Sequence, residues 1–169
     1  MDLRQHNKRK RIKRRKNTIS KLVYFLVFIT IMACQNSNYK DVEYPFQKIE
    51  ENVTKIINDS VKKIDINNLT PFKWSELYLF KPYTSVESID DSLGFVWEGA
   101  KKTFINQEGD FHLLVFTENN EVINYIKWPI NKGDFMRVEN LKYSYDSAKF
   151  IFRKEKYGGR DKVFIYEKK

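Results

Sequence analysis

The sequence predicts an α+β domain over residues 45–169, with an N-terminal amphipathic helix and a short second helix packed on a mainly antiparallel sheet of five to seven strands. Three observations predict it. Apolar residues at steps of three or four open the segment. An aromatic-rich stretch with two apolar faces follows. From residue 95 onward, short β-prone runs alternate with turns rich in Gly, Asn, Asp and Pro.

The first helix is expected over about residues 45–64. Pro45 suits a first helical turn, and Phe46, Ile49, Val53, Ile56, Ile57, Val61 and Ile64 form one apolar face before "NNLTP" ends it. "FKWSELYLF", 72–80, reads as a central strand: Phe72, Trp74, Tyr78 and Phe80 share one face, and Leu77 and Leu79 make the other apolar as well. After the turn "KPYT", Thr84 and Glu87 have the spacing of a capping box, with Val86, Ile89 and Leu93 leading to Gly94. The hairpin runs are "KKTFI", "FHLLVFT", "VINYIKWP", "FMRVENLKYSYD", "KFIFRKEK" and "KVFIYEKK", joined through "NQEGD", "ENNE", "INKGD" and "YGGRD".

No residue pattern in the domain spells out a catalytic constellation. His112 is the only histidine after residue 33, and inside "FHLLVF" it is expected to point outward; a metal site or a Ser-His-Asp arrangement needs more partners than it has. Asp90 and Asp91 are adjacent on a short helix, so they point about 100° apart and read as a solvated face. Glu108 and Asp110 flank Gly109 as turn residues. "YGGRD" lies between two strands with no helix after it, so it is not a phosphate loop. Trp74, Trp97 and Trp128 read mainly as core, with Tyr83, Trp97 and Trp128 near loops where an exposed aromatic surface would gather. No metal and no cofactor is expected.

The 169 residues carry a net charge of +9, which invites a nucleic-acid reading until the charge is located. Residues 1–33 hold ten lysines and arginines against one acid, whereas residues 34–169 hold twenty-one of each sign. The domain is therefore neutral, and nucleic acid is not an expected partner. The excess stands in "KRKRIKRRK", just before an uncharged run of 12 residues, Leu22 to Ala33. That order, ending in small Ala33 before Cys34 and polar "QNSN", is the layout of an export signal. As a helix the run reaches about 18 Å, against a hydrocarbon core of about 30 Å, so a spanning anchor is the second reading.

Ile31-Met32-Ala33-Cys34 resembles the bacterial lipobox, which reads Leu, a small or aliphatic residue, Ala or Gly, then Cys; here Ile stands first and Met second. The resemblance implies transfer of diacylglyceryl to the Cys34 thiol and cleavage between Ala33 and Cys34. The organisation is then 1–33 signal peptide, 34–44 lipidated tether and 45–169 domain. The order helix, "SVESIDDSLG", strands is also similar to small envelope lipoproteins of the outer-membrane assembly type, the small-protein-A group, and carries over no functional residue. The expected function is a non-catalytic binding or scaffolding domain. It is held to the cell membrane or outer membrane by lipid on Cys34, on the exported side, with an envelope protein as partner. The alternatives are an envelope hydrolase using sheet carboxylates and a single-pass membrane-anchored protein.

Overall fold

Among residues 41–59 and 62–168, which a computed structural model describes, ten regular elements follow in order: β1 (Val42–Glu43), α1 (Gln47–Asn58), β2 (Lys63–Asp65), β3 (Glu76–Phe80), α2 (Val86–Leu93), β4 (Phe111–Glu118), β5 (Glu121–Pro129), β6 (Lys142–Ser144), β7 (Lys149–Tyr157) and β8 (Arg160–Glu167). The signal-like segment and Cys34 lie outside the described residues. The α+β class holds, with the strands divided between two sheets. One has five strands in the order β1-β5-β4-β3-β6; the other has three in the order β2-β7-β8. All pairings are antiparallel except β1 with β5.

The five-stranded sheet is buried on both faces, as the doubled apolar pattern of β3 predicts. Leu77, Leu79, Leu114, Phe116, Ile126 and Trp128 face α1 and the inner side of the small sheet, where Ile49, Val53, Phe150, Phe152 and Ile165 meet them. On the opposite face Tyr78, Phe80, Leu113, Val115 and Tyr125 pack against Ile89 and Leu93 of α2 and against Trp97 and Ile105. Trp74 precedes β3 and joins the first cluster, so it does not share a face with Tyr78 and Phe80. All three tryptophans are core residues.

Several boundaries differ from the sequence expectation for local reasons. α1 ends at Asn58, because Asp59 turns extended and Lys62 takes a left-handed backbone. Ile64, in step with the helical spacing, lies on β2 opposite Phe150. The N-cap of α2 is Ser85, whose Oγ accepts from Ser88 N at 3.2 Å, while Thr84 Oγ1 donates to the Lys81 carbonyl. Gly94 ends the helix in the left-handed region. "KKTFI" forms a 3₁₀ turn, Ala100–Thr103, in which Thr103 Oγ1 donates to Ala100 O and so competes with strand pairing. "FMRVENLKYSYD" likewise begins as a 3₁₀ turn, Phe135–Arg137, and only Lys142–Ser144 joins a sheet.

The end of the assigned tether belongs to the fold. Val42 and Glu43 pair with Asn124 and Tyr125, and Trp97 Nε1 donates to Asp41 Oδ1. At the centre of the larger core, Phe135 is fully buried with edge-on contacts to His112, Trp128 and Phe150. Phe135→Ala is predicted to lower stability by about 3–5 kcal/mol in urea unfolding, because the cavity cannot collapse between two sheets. Val96→Ala, at a position 71% exposed, is predicted to change it by less than about 0.5 kcal/mol.

Candidate functional site

His112 sits on β4 and faces inward, correcting the expectation of an outward side chain: it is 0% exposed. Strand alternation alone could not reveal this, because β4 is buried on both sides. The ring Nε2 lies 2.9 Å from Asp134 Oδ1. The Phe135 amide is 3.1 Å from the same nitrogen, and only one of the two contacts is a hydrogen bond at a time. Beside a carboxylate the favoured state has the proton on Nε2, donating to Asp134. Nδ1 is then left in the core with no polar partner.

Asp134 collects donors from three elements. Met136 N donates to Oδ1 at 2.8 Å, and Lys162 Nζ of β8 reaches Oδ2 at 2.6 Å. Its backbone also bridges to β8, with Asp134 N donating to Val163 O and Ile165 N donating to Asp134 O. Gly133 makes that approach feasible. A Cβ there would stand 2.7 Å from both Ile165 Cδ1 and Phe152 Cε1. Burial alone would raise the Asp134 carboxyl. Hydrogen bonds from His112, Lys162 and the Met136 amide outweigh it and hold the group at about 2, below its ordinary 3.8. Asp134 is thus a polar node between the sheets. The sequence places it in the turn "INKGD", where Gly-Asp reads as turn chemistry and nothing local points to His112.

Other candidates have structural work. Asp90 Oδ1 accepts from Trp97 N at 2.9 Å, holding the chain after α2, while Asp91 is exposed. Glu108, Gly109 and Asp110 lie in an exposed loop; the Tyr83 hydroxyl covers Gly109, so a side chain there would displace the exposed Tyr83 ring. Tyr83 is exposed, whereas Trp97 and Trp128 are buried, so these three do not form one aromatic surface. Among the described residues, no group of three or more His, Cys, Asp or Glu is arranged to hold a metal ion. Ala33 and Cys34 fall outside the described residues.

A groove of about 590 Å³ opens on the outer face of the small sheet, lined by Arg137, Glu139, Ile151, Arg153, Tyr166 and Glu167. The Arg153 guanidinium lies 4.8 Å from the Tyr166 ring centre, and that of Arg137 lies 5.1 Å from that of Phe164. Glu167 is turned toward β6 and its loop, where Oε1 accepts from Asn140 N and Tyr143 Oη. Sequence reasoning missed this surface. Its signal was Arg153, Glu155 and Tyr157 alternating on β7, with Phe164 and Tyr166 spaced by two on β8.

No protein-family model, no curated protein and no solved structure matches this chain.

The node predicts an acid dependence of stability. The unfolded carboxyl takes up a proton near pH 3.8 and the folded one only near about 2, so between these values the unfolded chain binds more protons. Stability present above about pH 4 is therefore lost as pH falls toward about 2, by about 2 kcal/mol from this group. Asp134→Asn is predicted to lower stability at neutral pH by about 3 kcal/mol and to flatten this acid limb. Urea unfolding across the pH range checks both; an acid limb unchanged in Asp134→Asn would remove the node as its source.

Proposed function

We propose that this chain is a small lipid-anchored protein of the cell envelope whose exported domain binds or scaffolds a partner. The observation that carries the reading is the order of the first 34 residues: basic block, apolar run, Ala33, then the one cysteine of the chain. Positive charge is retained on the cytoplasmic side, the apolar run partitions into the bilayer, and a small residue at position 33 admits a peptidase. Lipid on Cys34 accounts for the sole cysteine at the end of that run. A single acyl chain binds a bilayer only marginally, whereas two or more anchor stably, so a diacylglyceryl Cys34 needs no spanning helix. Among the described residues, no helix is long and apolar enough to cross a membrane.

The domain's geometry supports a binding role over chemistry on the sheet. A carboxylate hydrolase requires an acid held protonated by its surroundings. Among the described residues, the carboxyls whose ionisation is clearly displaced (Glu51, Glu76, Glu87, Asp134 and Glu167) all move down, held by hydrogen bonds in their charged form. The one histidine of the domain is bound into the node between the sheets. The arginine-lined groove leaves one open surface for such a partner.

Growth with labelled palmitate tests the anchor. Label is predicted on the wild-type chain and none on Cys34→Ser, which also retains its leader. An unlabelled, uncleaved wild-type chain in the membrane would instead favour the single-pass anchor.

A further inference from the structure

The domain is neutral as a whole but not in its parts. Residues 149–168, which form the β7–β8 hairpin, carry seven lysines and arginines against three acids; residues 41–148 carry twelve against eighteen. The kind of cation is segregated too. Residues 34–169 contain eighteen lysines and only three arginines, Arg137, Arg153 and Arg160. All three gather on one side of the small sheet. Phe150, Phe152 and Ile165 face the core, so by alternation Arg153 of β7 faces away from it. Arg160 stands opposite Tyr157 on that same outer face, and Arg137 lies against it over Phe164.

These arginines are poised differently from the lysines beside them. The ion pairs of the hairpin are made by lysines: Lys154 and Lys156 with Asp161, Lys162 with Asp134, Lys149 with Asp65. Among the described residues, none is made by Arg137, Arg153 or Arg160. Of the acids beside them, Glu155 accepts from the Tyr166 hydroxyl and Glu167 from Asn140 N and Tyr143 Oη, while Glu139 lines the groove without an ion pair to any of the three. Arg137 and Arg153 lie over aromatic rings, which limits the freedom their long side chains lose when they take a ligand. Guanidinium groups without an acidic partner match the oxygens of a phosphate, which they grip in pairs of hydrogen bonds. Tyr157, 59% exposed near the hairpin tip, marks a position on this face that a reporter can occupy without removing an arginine.

We propose that this arginine face docks on the phosphate headgroups of anionic lipid in the membrane that anchors the chain. The proposal rests on the lipid-anchored reading. Six residues separate Cys34 from Asp41, so an extended tether spans at most about 25 Å over its seven steps. That confinement keeps the domain near the surface, where the acidic remainder is repelled and the arginine face attracted.

Full-length lipidated protein carrying Tyr157→Cys, labelled with an environment-sensitive fluorophore and reconstituted into vesicles, tests it. One thiol per chain labels if Cys34 is lipidated and two if it is not, so failure of the anchor is read separately from failure of docking. On vesicles containing phosphatidylglycerol, the docked-to-free ratio is predicted to exceed that on pure phosphatidylcholine by about a hundredfold, for three arginines acting together. High salt is predicted to reverse it, and a label at Asp91→Cys is predicted to stay in water. Replacing the three arginines by glutamine is predicted to reduce the ratio to the phosphatidylcholine level, and replacing them by lysine to give an intermediate value. Equal response on the two vesicle types would overturn the proposal, as would a lysine variant that matches wild type. So would a response to soluble polyphosphate with none to anionic vesicles. The vesicle and salt comparisons need only the labelled chain, so they decide the matter even if the triple variants fold poorly.

Discussion

Asp134 is where the two sheets are locked to one another. The apolar core between them supplies most of the favourable free energy, but apolar burial is non-directional and tolerates sliding. A buried carboxylate does not tolerate it. Taken from water, Asp134 costs several kcal/mol unless its donors are in place, and those donors come from β4, from β8 and from its own turn. Any displacement of the small sheet that separates Lys162 or His112 from Asp134 exposes that cost. The backbone bridges to Val163 and Ile165 fix the same relation along β8.

The surface follows from that arrangement. β2 is short and pairs only with Lys149, Phe150 and Ile151, so β7 and β8 run on past it as a two-stranded ribbon. The inner face of the ribbon begins in the core and ends in lysine–aspartate pairs. Its outer face holds Ile151, Arg153, Phe164 and Tyr166 beside Arg137. Lys162 connects the two roles. It neutralises Asp134 in the node, and it also lies 5.2 Å from the Tyr157 ring centre and 5.1 Å from that of Phe164. The groups that hold the small sheet to the body of the domain thus also set the aromatic floor on which the arginines lie.

What was legible in the sequence was whatever is decided locally. The Asn119–Asn120 turn, with both residues at positive φ, and the Gly158–Gly159 turn mark their hairpins in the sequence, because few residues accept such backbone angles. The two apolar faces of "ELYLF" disclosed a central strand. Ile64 misled because helical spacing and strand alternation coincide at that one residue, and the turn at Lys62 has no strong signal. The node was illegible for a different reason. His112 and Asp134 are 22 residues apart, each has an ordinary local explanation, and only the packing of two sheets brings them together. The arginine face depends on strand register in the same way.

Native-state hydrogen exchange on Asp134→Asn tests the locking role most directly, because it reads the two sheets strand by strand. If Asp134 holds the small sheet in place, amides of β7 and β8 will open at markedly lower free energy in the variant, while those of β3, β4 and β5 keep most of their protection. A loss spread evenly over both sheets, or no change in β7 and β8, would contradict the account.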